Sequence, residues 1–385
     1  MQKMPSGTVR RADRTEDFDR FGVDPLRIAR SEDGRRSGNG PGRFEWWYFD
    51  ALLEDGAYVA VLFFTKPFAH PGPALQPAVS ISIKRPGKET VTKTLPFAAT
   101  TFAASEDSCN VTIGGNTFKG DLVTYRIHAT VDGLEVDAIL TRDIDPLRLG
   151  TGHLLFENST GEHYFGWLAA VPKGRVEISY RVDTDWARTT GVGYHDHNWG
   201  DIDMSHLIHN WYWGRATVGG YTVIAVQLTA QKAYGSTRRT EFVLIDKDGR
   251  YIAKGNANVA FDGTDTSPDD QSGVPVAKRL IYTFTDGPTQ YVATFDRRDA
   301  LLQRALDGNF TPNDPEASGA YLRFASLCTL ERVDAKGRTP LGAVGTTWEL
   351  MWFGSKPDPR LLDLYAATLT TPKEARALPA DQVSR

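Results

Sequence analysis

The sequence predicts an all-β protein made of two consecutive antiparallel β-barrels or sandwiches, followed by one short helix. From Phe44 to Gly354, apolar and polar residues alternate with a period of two, which is the pattern of half-buried strands. These segments are rich in Val, Ile, Tyr, Phe and Trp, and Gly, Pro and Asp separate them, as expected for strands joined by turns. Helical periodicity is clear only at residues 357–369, so no helices connect the strands and antiparallel pairing follows.

The length of 385 residues exceeds that of one ordinary domain and favours two domains. Residues 1–40 are polar and poor in aliphatic side chains, which indicates a largely irregular arm that lies on the fold. We expect the first barrel over residues 41–214 and the second over residues 215–370, with a tail over residues 371–385. The boundary is placed after Gly214, where a Trp-rich strand ends.

The predicted strands follow one another in chain order, each bounded by turn residues. The first series reads FEWWYFDALL, AYVAVLFFT, AVSISIKR, LVTYRIHATV, LEVDAIL, HYFGWLAAV and RVEISYRV. It continues with WYWGRATV, YTVIAVQLTAQ, TEFVLIDK, RLIYTFT, QYVATFD, YLRFASLCTLERV and TTWELMWFG.

Composition excludes several classes of protein and partner. The net charge is −4 and 48 acidic residues face 44 basic ones, which argues against a nucleic-acid surface. The two cysteines lie far apart in the sequence, so a reducing compartment and cytoplasmic localisation are expected. The longest apolar run, YVAVLFF, is too short to span a bilayer, although peripheral membrane contact stays open. The oligomeric state is not determined by these features.

The stretch GVGYHDHNWG at residues 191–200 concentrates polar chemistry on one strand. Alternation sends His195, His197 and Trp199 to one face and the intervening side chains to the other, namely Tyr194, Asp196 and Asn198. Three interpretations remain open. The histidines could bind a metal with His209, an imidazole and a carboxylate could perform acid–base chemistry, or the polar groups could satisfy buried backbone.

Two further stretches carry the same kind of pattern. In GRFEWWYFDA, Glu45, Trp47 and Phe49 share one face, and a carboxylate among rings is unfavourable unless it is paired or functional. In HNWYWGRA, His209, Trp211 and Trp213 share one face. Such stripes are usually core, but because each of the three includes an ionisable residue, we expect them to line one apolar ligand pocket. The 9 Trp, 14 Tyr and 19 Phe residues agree with such a pocket.

Taken together, EWWYFD, GVGYHDHNWG and WYWGRA resemble the carotenoid 1,2-hydratase (hydroxyneurosporene synthase) family. That family belongs to a lipocalin-like superfamily that also includes kievitone hydratase-like proteins and natural-product Diels–Alderases. The resemblance implies two lipocalin-like barrels with an apolar cavity at their junction, and chemistry without a cofactor or metal. It implies roles for His197 and Trp199 in proton-driven addition of water. It also implies a tyrosine and an aspartate on the strand after the Trp-rich one, where this chain has Tyr221 and Gln227.

The sequence thus predicts a cofactor-independent enzyme for a hydrophobic polyene, isoprenoid or polyketide-type molecule. In the favoured mechanism, an acid of the His197 and Asp196 cluster protonates an alkene or activates a carbonyl, and nearby indoles including Trp199 stabilise the cation. The product arises by hydration or cyclisation. The other predicted substrate contacts are Glu45, Trp47, Tyr194, His195, His209, Trp211, Trp213, Tyr221 and Gln227. The alternatives are a Diels–Alderase-type pericyclase, a non-catalytic carrier of lipid or pigment, and a metalloenzyme.

Overall fold

The computed structural model describes residues 7–66, 72, 74–306 and 319–354, with the backbone alone for residues 303–306. Within these residues it is almost entirely β-structure, which confirms the predicted class. Thirteen strands form the first sheet: β1 (Thr8–Arg11), β2 (Phe44–Leu53), β3 (Tyr58–Phe64), β4 (Ala78–Lys84), β5 (Val91–Pro96), β6 (Phe102–Ala104), β7 (Asn110–Ile113), β8 (Asn116–Gly120), β9 (Thr124–Val131), β10 (Leu134–Arg142), β11 (His153–Asn158), β12 (Gly161–Val182) and β13 (Asp185–Gly200).

A second sheet of nine strands follows. It contains β14 (Ile208–Val218), β15 (Tyr221–Ala230), β16 (Arg238–Ile245), β17 (Tyr251–Gly255), β18 (Val259–Thr264), β21 (Arg279–Asp286), β22 (Thr289–Leu306), β23 (Gly319–Asp334) and β24 (Gly337–Trp352). A separate ribbon pairs β19 (Ser267–Pro268) with β20 (Pro275–Val276). The helices are short: α1 (Thr15–Phe21), α2 (Met204–Leu207) and the 3₁₀ turns Arg30–Asp33, Ala99–Thr101 and Lys232–Tyr234. No helix in these ranges is long and apolar enough to cross a bilayer.

Each sheet curls around its own apolar interior. The first runs in the order β5-β4-β3-β2-β13-β12-β10-β9-β8-β7-β6, with β11 on β12 and β1 on β11. Ile81 of β4 and Ile127 of β9 stand far apart in that order, yet both belong to one buried cluster. The second runs in the order β17-β16-β15-β14-β24-β23-β22-β21-β18 and encloses a cluster that contains Phe242 and Tyr282.

A third buried cluster joins the two sheets. Trp46 and Tyr48 from β2 pack there together with Trp211 and Trp213 from β14. Burial of large aromatic side chains removes much apolar surface from water and holds the sheets against each other. The region between the sheets is therefore where a cavity can form.

The described part of the N-terminal arm, residues 7–40, packs on the first sheet and contains three short regular elements, namely β1, α1 and the 3₁₀ turn Arg30–Asp33. Its strand β1 pairs with β11, placing Val9 opposite Phe156. The arm also buries carboxylates that ion pairs hold in place: Asp17 binds Arg10, and Glu32 binds Arg148. The sequence does not show this packing, because few of the arm's residues are apolar and some of its contacts, such as that of Glu32 with Arg148, join residues that are far apart in the chain.

Two other boundaries differ from the sequence expectation. HYFGWLAAV and RVEISYRV are one strand, β12, whose pairing with β13 shifts register between Leu168 and Gly174. Gly214 lies inside β14, which pairs with β15 and β24 of the second sheet. We therefore propose that the domain boundary lies at residues 201–207. The expected helix at residues 357–369 and the tail at 371–385 fall outside the described residues.

The buried ion pair in the arm generates a prediction about stability. Arg10 donates hydrogen bonds of 2.6 and 2.9 Å to the Asp17 carboxylate, and these bonds lower the pKa of Asp17 to about 2. A lowered pKa stabilises the fold above the unfolded-state pKa, and this stabilisation is lost as the pH falls towards 2. Asp17→Asn should lower the free energy of unfolding by about 2 kcal/mol at neutral pH. The difference should shrink below about pH 4 in urea titrations.

The matched control is Asp19→Asn, which removes an exposed carboxylate from the same helix. It should change the free energy of unfolding by less than about 0.5 kcal/mol. Equal effects of the two substitutions at neutral pH would contradict a specific contribution from the Asp17 ion pair.

Candidate active site

A cavity of about 810 Å³ lies between the two sheets, within the usual size range for small-molecule sites. Its wall is largely aromatic and aliphatic. The rings come from both sheets: Trp46, Tyr48, Phe165, Trp167, Trp211 and Trp213. Such a wall suits an apolar ligand, and the few polar groups within it determine what chemistry the cavity can perform.

The pairing of β2 with β13 decides which side chains reach this cavity. Directly opposed residues in an antiparallel pair point to the same face. Asp196 stands opposite Tyr48, and Asn198 stands opposite Trp46; all four line the cavity. The alternate residues form the other opposed pairs and point into the interior of the first barrel: His195 with Phe49, His197 with Trp47, and Trp199 with Glu45.

Asp196 is a buried carboxylate in the cavity wall. Three donors hold it: the indole N–H of Trp167 at 3.0 Å, the hydroxyl of Tyr194 at 2.9 Å and the amide of Asn198 at 2.8 Å. Burial raises the pKa of Asp196 to about 6, although these hydrogen bonds oppose the shift. A carboxyl group in this setting can both hold and release a proton near neutral pH.

Asp50 of β2 is a second buried carboxylate near the cavity, and it connects the two sheets. Its carboxylate accepts a hydrogen bond from Tyr48 at 2.6 Å and one from Arg215 Nε at 3.0 Å. Arg323 Nη1 lies 3.2 Å from the same carboxylate. Because Arg215 and Arg323 belong to the second sheet, this buried carboxylate ties the sheets together by charge-assisted hydrogen bonds.

The same arginine continues the network to the far wall. Arg323 contacts Glu349 and the hydroxyls of Tyr48 and Tyr58, and Tyr321 donates to Glu349 at 2.7 Å. Burial raises the pKa of the Tyr58 and Tyr321 hydroxyls, so both stay protonated. All charges in this network have an opposite partner within it, which indicates a structural connection more than a proton donor.

The opposite face of β13 forms a polar cluster inside the first barrel. His195 and His197 are fully buried and lie 3.2 and 3.5 Å from Asp33 of the arm. His197 Nε2 also lies 2.7 Å from Glu45. Burial acts to lower the pKa of His195, but the nearby Asp33 carboxylate raises it on balance. Trp47 stacks on His197 with ring centres 4.7 Å apart.

Trp199 contacts the cavity wall through one intermediate residue. Its indole N–H donates to His153 Nε2 at 3.1 Å, and His153 lines the cavity. Burial lowers the pKa of His153 to about 3, so this imidazole is neutral and can accept the hydrogen bond. Trp199 is thus a support for a wall residue.

The residues that were predicted to line one shared pocket lie on two different faces of the strands. Of the residues predicted to contact or transform substrate, Asp196, Trp211 and Trp213 line the cavity. The others do not line it: Glu45, Trp47, Tyr194, His195, His197, Trp199, His209, Tyr221 and Gln227.

Three of these residues lie away from both the cavity and the polar cluster inside the first barrel. His209 packs edge-on against Trp352, with ring centres 4.7 Å apart. Tyr221 packs against the core of the second barrel, and Gln227 accepts a hydrogen bond from Thr240. His209 is absent from the two candidate metal-ligand groups found in the described residues, so the structure does not assemble a three-histidine site.

Sequence reasoning missed several residues of the cavity and its network. Tyr48, Asp50 and Arg215 lie in the same motifs as the predicted residues. Alternation places Trp46, Tyr48 and Asp50 on one face of β2, but the sequence does not show that this face borders the cavity. Arg323 and Glu349 come from strands late in the chain. Only the pairing of β23 with β24, which sets Arg323 opposite Glu349, brings them together.

Comparisons with known proteins agree with this architecture. The quinolone epoxide rearrangement protein asqO of Emericella nidulans is 27% identical over 197 residues, covering 47% of this chain and 53% of that protein. The hydroxyneurosporene dehydrogenase of Chlorobaculum tepidum is 26% identical over 205 residues, covering 46% and 54%. The chain therefore spans about half the length of the curated relatives it matches.

Solved structures support the fold over nearly the whole chain. CghA superposes with a TM-score of 0.60 at 12% identity, covering 92% of this chain and 100% of that chain. Kievitone hydratase from Nectria haematococca superposes with a TM-score of 0.55 at 13% identity, covering 91% and 99%. Residues 39–280 match the family described as Diels-Alderase-like. This match includes β2, β13 and β14, and the chain belongs to the Diels-Alderase-like family.

Proposed function

We propose that this protein is a cofactor-independent enzyme that promotes hydration or cyclisation of an apolar, natural-product-type small molecule. The position of Asp196 carries the proposal, since it is a buried carboxyl group in the wall of an otherwise largely apolar cavity. The relatives support a catalytic role, because their names describe an epoxide rearrangement and a hydratase.

Asp196 is the proton donor in this mechanism. Its carboxylic acid protonates a substrate alkene, which forms a C–H bond and leaves a carbocation. The carboxylate that remains is stabilised by hydrogen bonds from Trp167, Tyr194 and Asn198. The proton leaves Asp196 and charge develops on the substrate in the same step, so donors already aimed at this carboxylate lower the barrier.

Indole rings on both sides of the cavity stabilise the cation. Trp46 comes from the first sheet, and Trp211 and Trp213 come from the second. A cation over an indole face gains about 0.5–2 kcal/mol. In hydration, water adds to the cation and its proton returns to Asp196. In cyclisation, a second alkene attacks the cation and the proton lost from the ring returns to Asp196.

His197 and Trp199 are assigned an indirect role in this proposal. They occupy the face of β13 opposite to Asp196, and they hold that strand in place through Glu45 and His153. Loss of either residue is expected to act through the position of the strand, so we propose them as positioning residues.

A substitution at Asp196 tests the assignment. Asp196→Asn keeps the shape and hydrogen-bonding ability of the side chain but removes the acid. Turnover should fall about 100-fold or more, since a positioned acid contributes about 10²–10⁴-fold. Ligand affinity, measured by quenching of the cavity tryptophans, should change by less than about 1 kcal/mol. The substrates to assay are neurosporene, kievitone and a quinolone epoxide, which represent the relatives' chemistry.

The matched control is Asp269→Asn, which alters a buried carboxylate that does not line the cavity. Its turnover should equal that of the unaltered protein. A parallel loss of affinity and turnover in Asp196→Asn would reduce Asp196 to a ligand contact. Full activity would exclude it as the acid, and binding of all three compounds without conversion would favour a carrier.

Isotopic labelling distinguishes the proposed reaction from a pericyclic one. Proton transfer from Asp196 to an alkene carbon should place solvent deuterium on the product when the reaction runs in deuterium oxide. Hydration should also add one oxygen from labelled water, whereas cyclisation should leave the substrate mass otherwise unchanged. Mass spectrometry of the product makes both measurements. A cyclic product without carbon-bound deuterium would contradict alkene protonation and favour a pericyclase that only folds its substrate.

A further inference from the structure

The wall that the second sheet contributes to the cavity is apolar in the middle and charged at one end. Residues that stand opposite each other in antiparallel strands share one face, so two rows of cavity-lining side chains run across β16, β15 and β14. From β16 to β14 these rows read Arg239, Leu228 and Trp211, and Glu241, Val226 and Trp213. Arg11 of β1 also lines the cavity and contacts Glu241. The charged end therefore lies two strands away from the indoles.

Two arginines share one carboxylate at this end. Arg239 Nη2 lies 3.2 Å from one oxygen of Glu241, and Arg11 Nη2 contacts the other oxygen. The side chains of Arg11, Arg239 and Glu241 are 14%, 14% and 15% exposed. Among the described residues, Glu241 is the one carboxylate within ion-pair distance of either arginine. This end of the cavity thus has one positive charge in excess, and a largely buried charge needs an opposite charge close by.

We propose that Arg11 and Arg239 bind the carboxylate of an elongated, otherwise apolar substrate. The substrate is then an unsaturated carboxylic acid whose hydrocarbon part lies along the indoles. This inference rests on the proposed function, because it treats the cavity as the substrate site, and it adds the chemical class of the substrate.

Both guanidinium groups retain N–H donors for such a ligand. In the described part of the chain, Arg239 makes its hydrogen bond through Nη2, and its Nε is buried without a partner. The hydrogen bonds of Arg11 to other side chains also come from Nη2, to Glu241 and to Asn256. A guanidinium has five N–H donors in a planar fork that matches a carboxylate. The remaining donors of the two arginines can therefore hold both oxygens of a ligand carboxylate.

The fold brings Arg11 to this position from the N-terminal arm. In the pairing of β1 with β11, Arg11 stands opposite Leu154, which also lines the cavity. The guanidinium lies against Gly255 at the end of β17, where a Cβ would stand 2.9 Å from Arg11 Nη1. Gly255 has a φ of +119°, a conformation that favours glycine. The absence of a side chain at Gly255 leaves room for the cation of the arm.

The position of the charged end sets where the reacting bond would lie. Neighbouring strands are about 4.8 Å apart, so Arg239 on β16 lies about 10 Å from the indoles of β14. On β14, Trp213 packs against Tyr194 with ring centres 5.2 Å apart, and Tyr194 donates to Asp196 at 2.9 Å. A substrate held at Arg239 by its carboxylate would therefore place an alkene about 10 Å along its chain beside Trp213 and Asp196.

The size of the excess charge favours a carboxylate over a diphosphate. Arg11 and Arg239 are positive and Glu241 is negative, so a ligand group with a single negative charge balances this end of the cavity. A diphosphate has more than one negative charge. Because Glu241 already contacts both guanidinium groups, the additional charge of a diphosphate would be repelled by Glu241.

The test measures binding of cis-parinaric acid, a fluorescent tetraene fatty acid, and of its methyl ester to the full chain. The two probes share one hydrocarbon chain and differ in the negative charge. The acid should bind about 10-fold more tightly or better, because hydrogen bonds between charged groups are the stronger kind. Farnesyl diphosphate, measured by displacement of the bound acid, should bind more weakly than the acid.

Arg239→Gln removes the excess charge and leaves Glu241 paired with Arg11. This variant should bind the ester as the unaltered protein does and lose most of the preference for the acid. The matched control is Arg279→Gln, which removes a half-exposed arginine of the same sheet that does not line the cavity. It should keep the full preference.

Equal affinity of the unaltered protein for acid and ester would overturn the inference. So would failure of the acid to bind, tighter binding of farnesyl diphosphate, or an equal loss of preference in Arg279→Gln, since the effect would then come from net charge. If thermal unfolding shows that Arg239→Gln does not fold, Arg11→Gln takes its place with the same expected loss. An unchanged preference in that variant would contradict the assignment.

Asp196→Asn separates this inference from the proposed reaction. The variant keeps both arginines, so its preference for the acid over the ester should equal that of the unaltered protein. A retained preference supports the carboxylate site even if turnover proves independent of Asp196. An absent preference in the unaltered protein overturns the site even if turnover depends on Asp196.

Discussion

The antiparallel pairing of β2 with β13 is the constraint on which both the cavity wall and the buried histidine cluster of the first barrel depend. These two strands lie side by side between the interior of the first barrel and the cavity. Alternation along the pair separates two kinds of chemistry that are adjacent in sequence. A shift of one residue in register would exchange them, placing His197 in the cavity and Asp196 in the barrel. The register of this pair therefore decides which of the two residues lines the cavity.

Two buried carboxylates on the cavity side of this pair have different kinds of partner. On the cavity side, Asp50 is matched by Arg215 and Arg323 from the other sheet, so the charges connect two halves of the molecule. Within the described residues, the hydrogen-bond donors of Asp196 are all neutral. Burial outweighs these hydrogen bonds and raises the pKa of Asp196 to about 6. Asp50 pairs with arginines, whereas the described hydrogen-bond donors of Asp196 are neutral. This difference suits the Asp196 carboxyl group to proton transfer.

The N-terminal arm packs on the first barrel, although its polar composition does not indicate this packing. It contributes few apolar side chains, yet Asp17, Glu32 and Asp33 are each buried against a basic or imidazole partner. Its stability therefore comes from paired charges and backbone pairing. Such contacts depend on the finished barrel, since a buried carboxylate is favourable only when its partner is already in place.

The sequence alone determined the β class, most of the strands and the face on which each motif residue stands. These properties depend on side-chain periodicity, and Tyr194 and His195 point to opposite faces of any strand. It did not determine which face would line the cavity, because both carry aromatic and ionisable residues. Tertiary structure decided that point by packing the second sheet against the Asp196 face. Only the tertiary structure places Asp33, Arg323 and Glu349 beside the motif residues. Contacts between distant segments follow from strand order and leave no local pattern in the sequence.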